Sequence, residues 1–258
     1  MSILNKMLAS VGIGAAKVDT LLEKEQYMPG EMIAGKVMIY GGKVAQPIEG
    51  ISLFLMCNYI REVDDHKHHV KAVLAEFEVA GSHTIASEET KEIAFSFRLP
   101  YNLPYSIGQT QIWLQTGATI KNALDPQDKD YLAIHPDRPI QNVMEAIEGL
   151  QFSLRKATCQ ERKHPRRYPL PFQQEFEYIP TGGMYLNRLD ELEVIFQYNG
   201  QSLDLMLQID RKGFGFSGMI ADSLDLDETY VSIHFTAEEL HNSSLVATKI
   251  ANVLQQHV

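Results

Sequence analysis

Apolar and polar residues alternate with a period of two along most of this chain, and this pattern constrains its fold most strongly. It is clearest in LDLMLQI, where Leu203, Leu205, Leu207 and Ile209 share one face, and it recurs in KAVLAEFEV, EIAFSFRL, LQFSLR and YVSIHF. Such a pattern is typical of antiparallel strands with one face on a core and one in water. ISLFLMCNYI is apolar on both faces and predicts a central strand. The sequence therefore predicts a mainly β fold.

Three segments have helical spacing instead. In DRPIQNVMEAIEG, apolar residues recur at i, i+3, i+4 and i+7, with Pro139 in the first turn and Gly149 at the end. Near the C-terminus, Thr236 and Glu239 form a capping-box pattern, followed by one apolar face: Val246, Ile250, Val253 and Leu254. The N-terminal MSILNKMLASVG predicts a short helix packed on the body, with a membrane-surface helix as the alternative.

These elements divide the chain of 258 residues into three parts, since 45% apolar content can bury one large core or two ordinary ones. We predict an N-terminal β-sandwich over residues 1–134, including the short helix. A linker helix with a second, immunoglobulin-like sandwich follows over residues 135–235. A C-terminal helix completes the chain over residues 236–258.

Charge and cysteine content limit the functional classes. A net charge of −10 excludes nucleic-acid binding by the whole surface, because phosphates would be repelled. The chain has two cysteines, Cys57 and Cys159, far apart in sequence, which fits free thiols in a reducing compartment. We find neither a transmembrane segment nor a good signal peptide, and therefore expect a cytoplasmic protein, with peripheral membrane contact left open.

Two glycine motifs resemble nucleotide-binding signatures, and we reject both. Gly30, Gly35 and Lys36 have the spacing G-x-x-x-x-G-K, but Val37 replaces the magnesium-binding Ser or Thr and a strand follows where a helix is needed. GFGFSG, at residues 213–218, satisfies G-x-G-x-x-G without the alternating helices and strands of a dinucleotide fold. We therefore expect no cofactor.

A histidine-rich segment is the only candidate metal site. His66, His68 and His69 follow two aspartates, and His83 comes later. Histidine and aspartate are common metal ligands, so one alternative function is a metal-dependent β-sandwich hydrolase. The same residues also suit an exposed turn between two strands, and we favour that interpretation. No spacing selects a catalytic residue elsewhere, and the chain is expected not to be an enzyme.

A basic segment is the candidate site for partner binding. Six basic residues lie between residues 155 and 167, opposed only by Glu161, whereas residues 190–239 contain eleven acidic and two basic residues. Arg162, Lys163, Arg166 and Arg167 could contact an anionic protein partner, a lipid headgroup or a phosphorylated segment, or dock on the acidic half of the same chain. A plain solvated loop is the simpler alternative.

Several motifs together resemble a known family. QYMPGEMIAGKVMIYGG, followed by IEGISLFL, resembles the start of an arrestin-type N-terminal domain, and FSFRLPYNLPYSIG resembles that family's strand ending in paired prolines. RPIQNVMEAIEGL, RLDELEVIF, QIDRKGFGFSG and SVGIGAAKVDT are similar to bacterial sporulation-control proteins of the SpoOM type. The resemblance covers nearly the whole chain.

This resemblance implies two arrestin-like β-sandwiches in tandem, a cytoplasmic location and no known catalytic residues. It further implies a regulatory role in the decision to sporulate, with effects on cell division through protein partners. Proteins of this type also occur outside spore formers, so the resemblance leaves open whether the host forms spores.

Overall fold

The structure is a computed structural model that describes residues 15–64, 66–120, 127–162, 169–212 and 228–257. It confirms a mainly β fold with helices at mid-chain and at the C-terminus. Its contacts divide the chain into two compact units. The first comprises the described residues of Met1–Asn58, Val70–Pro100 and Gln111–Ile134, and the second those of Tyr59–His69, Tyr101–Thr110 and His135–Val258.

The first unit contains two groups of paired strands. Strands β1 (Lys17–Leu22), β3 (Met32–Tyr40) and β7 (Thr90–Arg98) form a three-stranded antiparallel sheet in the order β1-β3-β7. In the second group, β4 (Gln46–Val63) pairs with β5 (His66–Ala80), β6 (His83–Ile85) and β8 (Ile112–Ile120). The end of β4 from Tyr59 and the start of β5 up to His69 are assigned to the second unit. Strand β9 (Gln127–Ile134) lies between β8 and β2 (Gln26–Tyr27). Ile33, Val37, Leu53 and Leu55 are fully buried in this unit.

A Pro-Gly turn and a close chain approach fix strand β3. Gly30 has a φ of 76°, and the Glu31 N–H donates to the Met28 carbonyl at 3.1 Å, as in a type II turn. A Cβ atom on Gly35 would lie 2.4 Å from the Leu21 carbonyl oxygen on β1. The glycines of the rejected phosphate-loop motif therefore belong to a turn and to a tightly packed strand.

The second unit is built on one meandering sheet. Strands β10 (Phe152–Glu161), β11 (Phe172–Pro180), β12 (Leu189–Tyr198), β13 (Leu203–Arg211) and β14 (Glu228–Phe235) pair antiparallel, each with the next. The alternating residues of β13 are at most 1% exposed on the predicted core face. A 3₁₀ turn at Gly183–Tyr185 precedes β12.

Among the described residues, three helices complete this unit: α1 (Arg138–Gly149), α2 (Ala237–Leu240) and α3 (Ser243–Gln256). The predicted capping box of Thr236 and Glu239 is present, and α1 has a cap that was not predicted, because Asp137 accepts from the Ile140 N–H. Helix α3 contacts α1 and β14 and buries Val246, Ile250 and Leu254 completely. Among the described residues, none of the helices is long and apolar enough to cross a membrane.

The segment Tyr101–Thr110 belongs to the second unit although it lies between strands of the first. The Gln174 side chain accepts from the Tyr105 N–H at 2.7 Å and donates to the Tyr105 carbonyl at 2.8 Å. It also donates to Thr110 Oγ1 at 3.0 Å. Leu103 and Tyr105 are only 5% and 4% exposed. One side chain thus fixes the segment by pairing as a neighbouring strand would.

Two local features differ from the sequence predictions. Val73, expected on the core face of β5, is 50% exposed, whereas its neighbour Ala72 is buried. The terminal segment contains two helices, because Asn242 accepts from the Leu245 N–H and starts a new helix after α2. The predicted N-terminal helix lies outside the described residues.

Replacing Gly35 with alanine is expected to destabilise the protein by about 2 kcal/mol, because the added Cβ must displace the backbone of Leu21. Urea unfolding followed by the fluorescence of Trp113, the single tryptophan, measures the change. Gly50→Ala is the matched control, since a Cβ there meets only Ala80 O at an ordinary 3.6 Å. Equal effects of the two variants would contradict this account.

Candidate interaction surface

The first part of the basic segment lies on strand β10, where carboxylates on neighbouring strands match its charges. Arg155 pairs with Glu177 of β11 and with Glu191 of β12. Lys156 lies 4.0 Å from Glu177, whose side chain is only 14% exposed. The sheet thus brings acidic residues beside basic ones that are far from them in sequence. This portion of the segment has an ion-paired structural role.

Arg162, just beyond β10, contacts the next strand differently. Its Nε donates to the Phe172 carbonyl at 3.0 Å, and a terminal nitrogen donates to Gln173 Oε1 at 2.9 Å. Lys163, Arg166 and Arg167 lie outside the described residues. The structure therefore places one of the four candidate residues, Arg162, and the role of all four stays a prediction.

Glu175 lies close to these cations. Burial raises the pKa of its carboxyl above the ordinary value, opposed by a hydrogen bond from Gln173 and by the charges of Lys156 and Arg162. The Gln173 Nε2 to Glu175 Oε1 distance is 2.9 Å. The basic side chains near the end of β10 therefore stabilise a half-buried carboxylate of their own unit.

A groove of about 300 Å³ opens beside Arg162, entirely within the second unit. Its walls come from the segment Tyr101–Tyr105, from the start of β11 and from the end of β12. The lining is mixed: Tyr101, Phe196 and Tyr198 provide ring surface, and Gln173 and Asn199 provide polar groups. Its size suits a few amino-acid side chains or a small molecule.

Two tyrosines of the groove, Tyr105 and Tyr198, stay neutral at any physiological pH. Burial, followed by the charge of Asp137 and a hydrogen bond with it, raises the pKa of Tyr198 to about 12. Burial also raises the pKa of Tyr105 above its usual range. Both hydroxyls can therefore serve as neutral hydrogen-bonding groups, and neither can act as a base.

The histidines predicted as an alternative metal site lie at the start of β5, where His66, His68 and His69 are exposed. The ring of His83 contacts the Gly81 carbonyl at 2.9 Å. In the described part of the chain, no group of three or more His, Cys, Asp or Glu side chains is placed to hold a metal ion. The hydrolase alternative thus lacks a ligand set there.

The glycine motifs have the following outcomes. Lys36 of strand β3 forms an exposed ion pair with Glu92 of strand β7 at 2.8 Å. GFGFSG lies outside the described residues. The aromatic wall at residues 101–105 was not predicted from the sequence. The two tyrosines in YNLPY are the signal that could have revealed it.

The fold and this surface define a mainly β protein with an ion-paired sheet face and a mixed aromatic groove. Comparison with known proteins gives the family. The sequence model described as SpoOM protein matches residues 4–213. The sporulation-control protein Spo0M of Bacillus subtilis strain 168 is 38% identical over 257 residues, covering 100% of this chain and 99% of that protein.

The solved structures agree with the sequence comparison. The crystal structure of Spo0M from Bacillus subtilis matches with a TM-score of 0.86 and 37% identity, covering 95% of this chain and all of that one. The chain therefore belongs to the SpoOM family.

Arg155→Gln is expected to lower the free energy of unfolding by about 1 kcal/mol, because Glu177 is largely buried and loses its closest cation. Arg138→Gln, which breaks an exposed pair with Glu145, is the matched control and should cost less than about 0.5 kcal/mol. Urea unfolding followed by circular dichroism measures both. Indistinguishable variants would contradict the structural role of Arg155.

Proposed function

We propose that the chain is a non-enzymatic regulator that acts in the control of sporulation by binding other proteins in the cytoplasm. Membership of the SpoOM family and full-length similarity to a protein named for sporulation control support a sporulation-related role. Action through protein partners and a further role in cell division are the finer parts of the proposal. The domain boundaries at residues 134/135 and 235/236 also stay predictions.

The contact surface is assigned to Arg162, Lys163, Arg166 and Arg167. Arg162 lines the groove of the second unit, so this basic sequence begins beside aromatic side chains. Arginine and tyrosine are enriched in protein interfaces because they combine hydrogen bonding with a large apolar contact area. A partner with an acidic, partly apolar segment fits this combination best.

The terminal helix α3 is proposed to cover strand β14, which is the last strand of its sheet. Lys249 Nζ donates to the His234 carbonyl of β14 at 3.0 Å and to Glu239 at 2.8 Å. A covered edge cannot pair with a strand of another molecule, so the helix limits unwanted association. This cover leaves the groove as the more accessible contact surface.

A complementation experiment tests the role in sporulation. Bacillus subtilis lacking its own Spo0M is given this chain under the native promoter, and the frequency of heat-resistant spores is counted. We expect the frequency to return toward that of the wild-type strain, because similarity extends along the whole of both proteins. An expressed, soluble chain that leaves the count at the deletion value would contradict the proposal.

Charge reversal tests the contact surface separately. The variant Arg162→Glu, Lys163→Glu, Arg166→Glu and Arg167→Glu is expected to lose its crosslinked partners in living cells, because an acidic segment would then be repelled. Reversing four exposed lysines of other regions, Lys17, Lys43, Lys67 and Lys71, changes the net charge equally. If both variants keep the same partners, or both lose them, the assigned surface is wrong.

A further inference from the structure

The outer edge of strand β1 is hydrogen-bonded to side chains of the other strand group of the first unit. Beside β1, the Ala16 N–H donates to Gln46 Oε1 at 2.8 Å. Within it, the Thr20 N–H donates to Asp128 Oδ2 of strand β9 at 2.7 Å. In the described part of the chain β1 pairs with β3 alone, so these side chains take the place of a second neighbouring strand.

The side-chain group that accepts from the Thr20 N–H belongs to a pair of carboxyls. The group that accepts from the Ala16 N–H is the side-chain amide of Gln46. Asp130 lies two residues after Asp128 on the same face of β9, and hydrogen bonding to Asp128 is one of the causes that raise the pKa of its carboxyl. Two carboxyl groups can share a hydrogen bond only when one holds a proton. Oδ2 of Asp130 is buried and has no hydrogen-bond partner, which favours a neutral Asp130.

In the described part of the chain, no cation contributes to the pKa of Asp130. Asp19 of β1 adds a third negative charge, and Lys17 on that strand is exposed. Lys129 of β9 lies on the opposite strand face, over the rings of Trp113 and Tyr131. The titratable group of β2 is Tyr27, and the described side chains of β8 include none.

The protonation state of the Asp130 carboxyl therefore decides whether the Asp128–Asp130 pair can stabilise the edge of β1. Burial first, and then the charge of Asp128 and the hydrogen bond with it, raise the pKa of Asp130 to about 7. Because this pKa is raised on folding, the stability it confers is present at low pH and is lost as pH rises through about 7. Above that pH two adjacent carboxylates repel each other.

We propose that Asp128 and Asp130 form a proton-dependent latch that holds the edge of strand β1 when Asp130 is neutral and releases it when Asp130 is ionised. In the closed state, neutral Asp130 donates to Asp128, which accepts the Thr20 N–H. The side-chain contact between Thr20 Oγ1 and Thr116 Oγ1, at 2.5 Å, closes at the same place. Release uncovers main-chain groups of β1 that can pair with another strand. The latch is independent of the function proposed above.

Hydrogen exchange of single amides, measured by NMR on the full chain between pH 6 and pH 8, tests the latch. After correction for the intrinsic exchange rate, the protection factor of the Thr20 amide is expected to fall about tenfold over this range, because opening releases one proton. The Ala16 amide is the internal control. Its acceptor, the Gln46 side chain, does not titrate, so its protection should stay constant.

Asp130→Asn separates the latch from general pH effects, because the amide donates to Asp128 at every pH. Protection at Thr20 should then stay at its low-pH value up to pH 8. Glu92→Gln, which removes an exposed carboxyl of the same unit, should behave as the wild type does. Constant protection of Thr20 in the wild type, or the same tenfold fall in Asp130→Asn, would overturn the proposal.

A direct titration keeps the test decisive if the Asp130 variant fails to fold. Carboxyl ¹³C NMR of the wild type should show one step of the Asp128–Asp130 pair near pH 7, as the raised pKa of Asp130 requires. If both carboxyls titrate below about pH 5, as exposed aspartates do, the latch does not exist.

Discussion

Main-chain groups at the edges of the sheets need hydrogen-bond partners, and both units provide them with side chains from distant parts of the sequence. In the first unit, Asp128 accepts the Thr20 N–H. In the second, Gln174 binds both main-chain groups of Tyr105, and Lys249 binds the His234 carbonyl. An unmet buried main-chain group costs about as much as a lost hydrogen bond, roughly 1–3 kcal/mol. A few polar residues therefore hold strands and segments that apolar packing alone would leave free to slide.

The predictable part of the fold is the part encoded locally. Period-two patterns located the strands, and the Thr236–Glu239 box and Pro139 located helix starts, because these signals act over a few residues. The prediction that Val73 lies on the core face was wrong, because alternation indicates which residues share a face and not how fully each side chain is covered. The bond from Thr20 to Asp128 spans 108 positions, and no local pattern could announce it.

The candidate surface was predictable only in its charge. The cluster of basic residues was visible in the sequence, whereas the carboxylates opposite Arg155 become neighbours only when β10, β11 and β12 pair. When these strands pair, Arg155 at the start of the basic segment forms ion pairs within the sheet. Arg162, further along the segment, lies beside an aromatic groove. The family relationship adds what neither charge nor geometry contains, namely a connection with sporulation control.

The place of Tyr101–Thr110 within the second unit has a consequence for how the protein is made. This segment leaves the ribosome before strands β8 and β9 of the first unit, yet Leu103 and Tyr105 are buried against residues synthesised much later. Until β11 supplies Gln174 and Phe176, a stretch rich in tyrosine and proline has no place to pack. The segment can therefore pack only after later parts of the chain have been synthesised. A nascent chain that stalls near its middle exposes the apolar side chains of this segment, which chaperones would need to protect.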